Sequence, residues 1–148
     1  MIDSWVLLGV QGAKPLACLK FFRGTRMAER ENTARKTGPA LEAMYQFVAW
    51  LVPAVEKFPR SHKFVIGDRI ETTALDCLER LIEATYAKSR EASLARANLG
   101  LDKLRFLFRL AYDLKLVDLR RFEHAAREID AVGRLIGGWT RANRAAQA

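Results

Sequence analysis

The 148-residue sequence is poor in the side chains that staple, ligate or catalyse. It has two cysteines and two histidines. Cys18 and Cys77 are too few for a disulfide framework and too far apart for a zinc site. Cys77 falls in an apolar helical pattern, where a thiol acts as a small hydrophobe, and a reducing, cytoplasmic setting is expected. His62 and His124 have no evident shared site. His124 directly follows Glu123, and adjacent helical residues diverge, so the Glu-x-x-His pair of a di-iron bundle is missing. Strand-type alternation is missing too, so no glycine loop leads from a strand into a phosphate-binding helix. These gaps predict a protein that is not an enzyme and uses no metal or other cofactor. No apolar run reaches membrane-spanning length. Trp5-Val6-Leu7-Leu8-Gly9-Val10 has no basic residue before it and is broken by Lys14-Pro15, which argues against a signal peptide.

What is present is helical and basic. Half the residues are hydrophobic and 28% are charged, a globular composition. The net charge of +8 and pI near 9.9 favour polyanionic partners. That charge is uneven: residues 1–36 carry net +4, residues 37–102 net −1 and residues 103–148 net +5. The second half of the folded domain is therefore the basic half.

Residues 1–36 lack sustained periodicity, and Gly9, Gly12, Pro15 and Gly24 interrupt them. They read as a poorly ordered basic arm outside the domain, with Met27 as an alternative start. Residues 37–148 then carry four helical patterns. The first spans about 38–58, with Pro39 suited to a first helical position and Leu41, Met44, Tyr45, Val48, Val52 and Val55 as its inner face. Pro53 inside it predicts a kink. Ser61 is placed to cap a second helix over 62–88, facing inward through Ile66, Ile70, Ala74, Cys77, Leu78, Leu81 and Tyr86. Gly67 there weakens the helix by about 1 kcal/mol unless a close helix approach needs it. A third helix over 91–115 carries Leu101, Leu104, Leu107, Phe108, Leu110, Ala111 and Leu114 on half its circumference, too wide for one bundle face. Asp118 caps the fourth, from Leu119 to Arg144 or beyond. Short turns between four helices predict an all-α, antiparallel up-down four-helix bundle.

The fourth helix carries most of the functional signal. With Ile129 at zero and 100° per residue, Phe122, Ala126, Gly133, Ile136 and Thr140 form the core stripe. Arg120, Arg127, Arg134 and Arg141, spaced by seven, form a ridge on the opposite side. A solvated outer face is the simplest account of such a ridge. Arg120 and Arg141, however, have no acidic residue four positions N-terminal to pair with, and the spacing suits a phosphate backbone. Val132, Leu135 and Trp139 lie on a shoulder between the two sides. Gly133, Gly137 and Gly138 beside them should each weaken the helix by about 1 kcal/mol. A frayed end explains that composition; a subunit seam explains it better, with Trp139 as an anchor and helix three, through Leu107 and Leu114, as the second apolar contact. Arg105 and Arg109 lie at helical spacing from Asp102 and Asp113, as ion pairs do, whereas Lys103 stands freer.

From about Thr37 to Arg144 the sequence resembles the accessory variability determinant (Avd) proteins of diversity-generating retroelements. These are part of a wider four-helix-bundle family that includes proteins encoded by intervening sequences of bacterial rRNA genes. The resemblance rests on Phe58-Pro59-Arg60-Ser61, Gly67-Asp68-Arg69, Leu104-Arg105-Phe106 and Val132-Gly133-Arg134-Leu135-Ile136-Gly137-Gly138-Trp139. It implies a barrel-like homopentamer that catalyses nothing. It also implies a basic surface that binds the element's reverse transcriptase and template RNA, with DNA a further polyanion, and enables mutagenic cDNA synthesis. Arg134 with Arg141 or Arg144 would supply the basic contacts, joined by Arg120, Arg127, Lys103, Arg105 and Arg109. Val132, Leu135, Gly137, Gly138, Trp139, Leu107 and Leu114 would shape the subunit packing. The alternative is an oligomeric bundle of the rRNA intervening-sequence type, without a polymerase partner.

Overall fold

The computed structural model describes residues 38–147, so the expected 1–36 arm lies outside the described residues. Those residues form four helices and no strand. Helix α1 is Pro39–Val55. Helix α2 runs unbroken through an α turn at Arg60–His62, a π-helical turn at Lys63–Gly67 and an α-helix at Asp68–Tyr86. Helix α3 is Glu91–Asp113 and α4 is Leu119–Gln147. Each helix packs on the next and α4 closes on α1, giving the antiparallel four-helix bundle expected of short connections.

Local signals explain most boundaries. Gly38 precedes α1 with φ 88°, a left-handed conformation open to glycine, and Pro39 fills the first helical position. Pro53 stands inside α1, two residues before its end at Val55. The expected Ser61 cap is not formed: Pro59 stands at the N-cap and its carbonyl accepts the amides of His62 and Lys63 at 2.9 Å. Asp118 does cap α4, its Oδ1 accepting the Arg121 amide at 2.8 Å. Helix α3 ends with Lys115 at φ 57° and the Leu116 amide donating to the Ala111 carbonyl at 2.9 Å, a Schellman-type ending built on lysine instead of glycine.

The core is apolar on all four helices, and its registers correct several sequence expectations. On α1 the buried face is Met44, Phe47, Val48, Leu51 and Val55; Tyr45 and Val52 are exposed. Two apolar arcs overlap on this helix, and the one carrying Phe47 and Leu51 faces inward because α4 and α3 meet it there, with Phe47 tilted against Phe108 at 6.2 Å. On α2, Ile70, Ala74, Cys77 and Leu81 are buried as expected, but Tyr86 is 81% exposed at the helix end. Gly67 is buried where a methyl group would stand 2.7 Å from Val55 Cγ1, so the close approach of α1 to α2 does require it.

On α4 the buried stripe is Ala125, Ile129, Val132 and Ile136, rotated from the expected one toward α1. Val132, expected at a subunit seam, is fully buried inside its own bundle. Phe122 flanks the stripe on the α3 side, stacked on Tyr112 at 5.0 Å. Leu135 and Trp139 pack half-buried against the same core.

Candidate nucleic-acid interface

A seven-residue repeat on a helix with 3.6 residues per turn precesses by about 20° each time. The arginine ridge of α4 therefore drifts around the helix as it climbs, and all four members are exposed. Arg120 and Arg127 open onto a nook shared with α1, lined by Trp50, Arg121, Glu123 and His124 and about 450 Å³ in volume. Arg134 and Arg141 open onto a groove shared with α3, about 430 Å³, with Asn98, Arg105 and Asp130 along it and Gly133 and Gly137 also lining it. Missing side chains at those glycines keep the groove open.

One carboxylate beside the ridge is engaged elsewhere, whereas Glu123, four residues before Arg127, shares the nook with it. Asp130, four residues before Arg134, accepts hydrogen bonds from Arg105 Nε at 3.1 Å and Nη2 at 2.9 Å. Arg105 also pairs with Asp102 on its own helix. It thus ties α3 to α4 and has little left to offer a ligand. Arg109 makes no ion pair with Asp113 among the described residues and is exposed, as is Lys103. Arg144 donates to Glu91 Oε1 at 2.9 and 3.1 Å, tethering the end of α4 to the start of α3. Among the described residues Arg120, Arg127, Arg134 and Arg141 form no salt bridge. Among the described residues, therefore, Arg144 has a carboxylate partner and Arg141 has none.

The first turn of α4 holds no acidic residue but does hold Arg120 and Arg121, where the helix dipole disfavours cations. Only Arg121 has local relief, from Asp118 at 3.7 Å. The bundle concentrates positive charge at this end instead of neutralising it.

A further groove, between α2 and α3 and about 600 Å³, is rimmed by Arg69, Arg80, Arg96 and Lys103. Sequence reasoning singled out only Lys103 there as a binding residue; Arg69 and Arg80 stand on α2 and Arg96 on α3, so the rim is assembled from two helices. Arg80 is held by Glu83 at 2.7 Å, and that hydrogen bond raises the pKa of Arg80 and lowers that of Glu83. Cys77 lies at the bottom, its thiol pushed up to about 12 chiefly by burial and secondarily by Asp76.

Exposed apolar side chains occur on all four helices, Phe64 and Val65 of α2 among them, and two of these surfaces bear on assembly. Leu99, Phe106, Leu110 and Leu114 face outward from α3, with Phe106 70% exposed, so the doubly apolar reading of this helix holds for the bundle as it stands. Leu107, expected at a seam, is half-buried against the core. Leu135, Gly138 and Trp139 line a second groove beside Pro39 and Thr85, about 600 Å³ in volume. A methyl group on Gly138 would meet nothing within 4 Å, and one on Gly137 only the Arg141 side chain at 3.8 Å. Packing within the subunit does not require these two glycines. Among the described residues no three His, Cys, Asp or Glu side chains cluster to hold a metal ion, and no helix is long and apolar enough to cross a membrane.

Fold and surface together define a basic four-helix-bundle protein with an open arginine ridge and two apolar surfaces. The family model described as bAvd-like matches residues 40–143, and the chain belongs to that family. It is an Avd-type protein. No curated protein sequence matches it.

Proposed function

We propose that this protein is the non-catalytic accessory subunit of a diversity-generating retroelement, acting in the cytoplasm. It binds template RNA and the element's reverse transcriptase through the α4 ridge and so enables mutagenic cDNA synthesis. The observation that carries the reading is the ridge itself: four exposed arginines winding along α4, with Asp130 beside Arg134 taken up by Arg105. Guanidinium groups left without protein partners are suited to phosphate oxygens. The family match favours this reading over a bundle of the rRNA intervening-sequence type.

The active form is a homopentamer. A five-fold ring needs two different, complementary surfaces on each subunit, since head-to-tail contacts are what close into rings. The outward face of α3, with Leu99, Phe106 and Leu110, supplies one. The groove at Leu135, Gly138 and Trp139 supplies the other, and close approach of a neighbouring helix accounts for glycines that the lone subunit does not need.

The test is retention of template RNA on a filter at moderate salt. Arg134→Glu with Arg141→Glu abolishes retention, and co-purification with the reverse transcriptase, while the helical circular dichroism stays unchanged. Full retention by the folded double variant overturns the role of the ridge.

A further inference from the structure

Trp50 and His124 come from different helices and share no sequence pattern. The bundle brings them edge to face, ring centroids 4.4 Å apart at 61°, on the wall of the nook into which Arg120 and Arg127 open. Trp50 is half-buried, with Phe47 supporting its inner side at 6.1 Å, and His124 is half-buried beside it. Around this aromatic pair stand three arginines, Arg120, Arg121 and Arg127, against two carboxylates, Asp118 and Glu123. Asp118 is already committed to the Arg121 amide and side chain. An indole anchored in the core and ringed by guanidinium groups is an unusual surface for a bundle.

We infer that this nook binds an unpaired nucleobase of an RNA strand, with Trp50 and His124 packing on the base while Arg120 and Arg127 hold the flanking phosphates. Single strands are held in this manner, by aromatic contact with a base and cationic contact with the backbone on either side. A duplex hides its base faces in its own stack and can use only the arginines. The nook then distinguishes unpaired from paired RNA, whereas the Arg134–Arg141 groove, which has no aromatic side chain along it, contacts phosphate regardless of pairing. This inference rests on the RNA-binding reading and specifies how one end of the ridge works.

The test compares a short uridine-rich RNA strand with a blunt RNA hairpin, both fluorescently labelled, in anisotropy titrations of the full chain. A Trp5→Phe/Trp139→Phe background leaves Trp50 as the sole tryptophan. In that background the single strand quenches the indole fluorescence and the hairpin does not. Trp50→Leu lowers single-strand affinity roughly tenfold more than hairpin affinity, the scale of one base stacked on an aromatic ring. His124→Ala shifts the preference in the same direction and guards against a packing defect in Trp50→Leu. Arg134→Glu/Arg141→Glu weakens both ligands alike. Unquenched Trp50 fluorescence at saturating single strand, with hairpin and strand bound equally, overturns the inference while leaving the RNA-binding reading intact. Absence of binding to either RNA overturns both.

Discussion

Gly100 of α3 lies so close to the Cys77 thiol of α2 that a methyl group at that position would overlap the sulfur. The thiol in turn points at the Ala97 carbonyl, 3.7 Å away. This approach sets the spacing of the most extensively packed helix pair in the bundle and forms the bottom of the groove rimmed by Arg96 and Lys103. Gly100→Ala should therefore destabilise the bundle by about 1–3 kcal/mol, the usual range for overpacking. In a Cys77→Ala background most of that destabilisation should disappear, because the overlapping atom is gone. Urea unfolding of the four members of this cycle measures the coupling; additive effects would mean that the two helices adjust independently.

The same burial makes the thiol a probe of pH. Its pKa is pushed up to about 12 in the fold, against an ordinary value near 9, so the folded chain keeps a proton that the unfolded chain releases. Stability from this group is full below about pH 9 and declines as pH rises from there toward about 12. The urea midpoint of the wild type should fall more steeply over that window than that of Cys77→Ala. Parallel curves would contradict the assignment.

Glycines on α2 and α4 should answer oppositely to alanine. Gly67→Ala drives a methyl group into Val55 and lowers stability. Gly138→Ala meets open space, so at dilution where subunits are separate it should raise stability by about 1 kcal/mol through helix propensity. At high concentration the same change should weaken the proposed pentamer, read as a loss of the large species in light scattering. An undisturbed assembly would remove Gly138 from the seam.

In the proposed function Arg141 binds ligand, whereas Arg144 is engaged by Glu91. Arg144→Ala breaks an exposed pair with Glu91 and should change stability by under about 1 kcal/mol. RNA retention should remain close to that of the wild type. Arg141→Ala should weaken retention with no change in the thermal midpoint. Equal retention by both variants would place the two side chains in one role.

Much of this arrangement was legible in the sequence because periodicity reports directly on helices. Four helices, the Asp118 cap and the exposure of the arginine ridge followed from spacing alone; on α3 spacing found Leu110 and Leu114 of the outward face but not Leu99 or Phe106. What escaped was anything set by neighbours in space. Val132 reads as a shoulder residue only while Ile129 defines the centre of the buried stripe; α1 and α3 straddle α4 so that Val132 is inside. Tyr45 and Val52 fit an inward face as well as Phe47 and Leu51 do, and only the position of Phe108 across the core decides between them. Pro59 displaced Ser61 because its fixed backbone starts the helix two residues earlier. Trp50 carried no signal in one dimension, since its partners, His124 and Arg127, lie more than seventy positions away.

The central claim is that the α4 ridge meets RNA as a row of phosphate contacts. Its most direct test is the salt dependence of affinity for a single-stranded template RNA, compared between wild type and Arg120→Ala/Arg127→Ala/Arg134→Ala/Arg141→Ala. Removing one arginine–phosphate pair should flatten the slope of log affinity against log salt by about 0.7, so the quadruple variant should shed about 3 from the wild-type slope along with most of its affinity. A folded quadruple variant with the slope and affinity of the wild type would contradict the account.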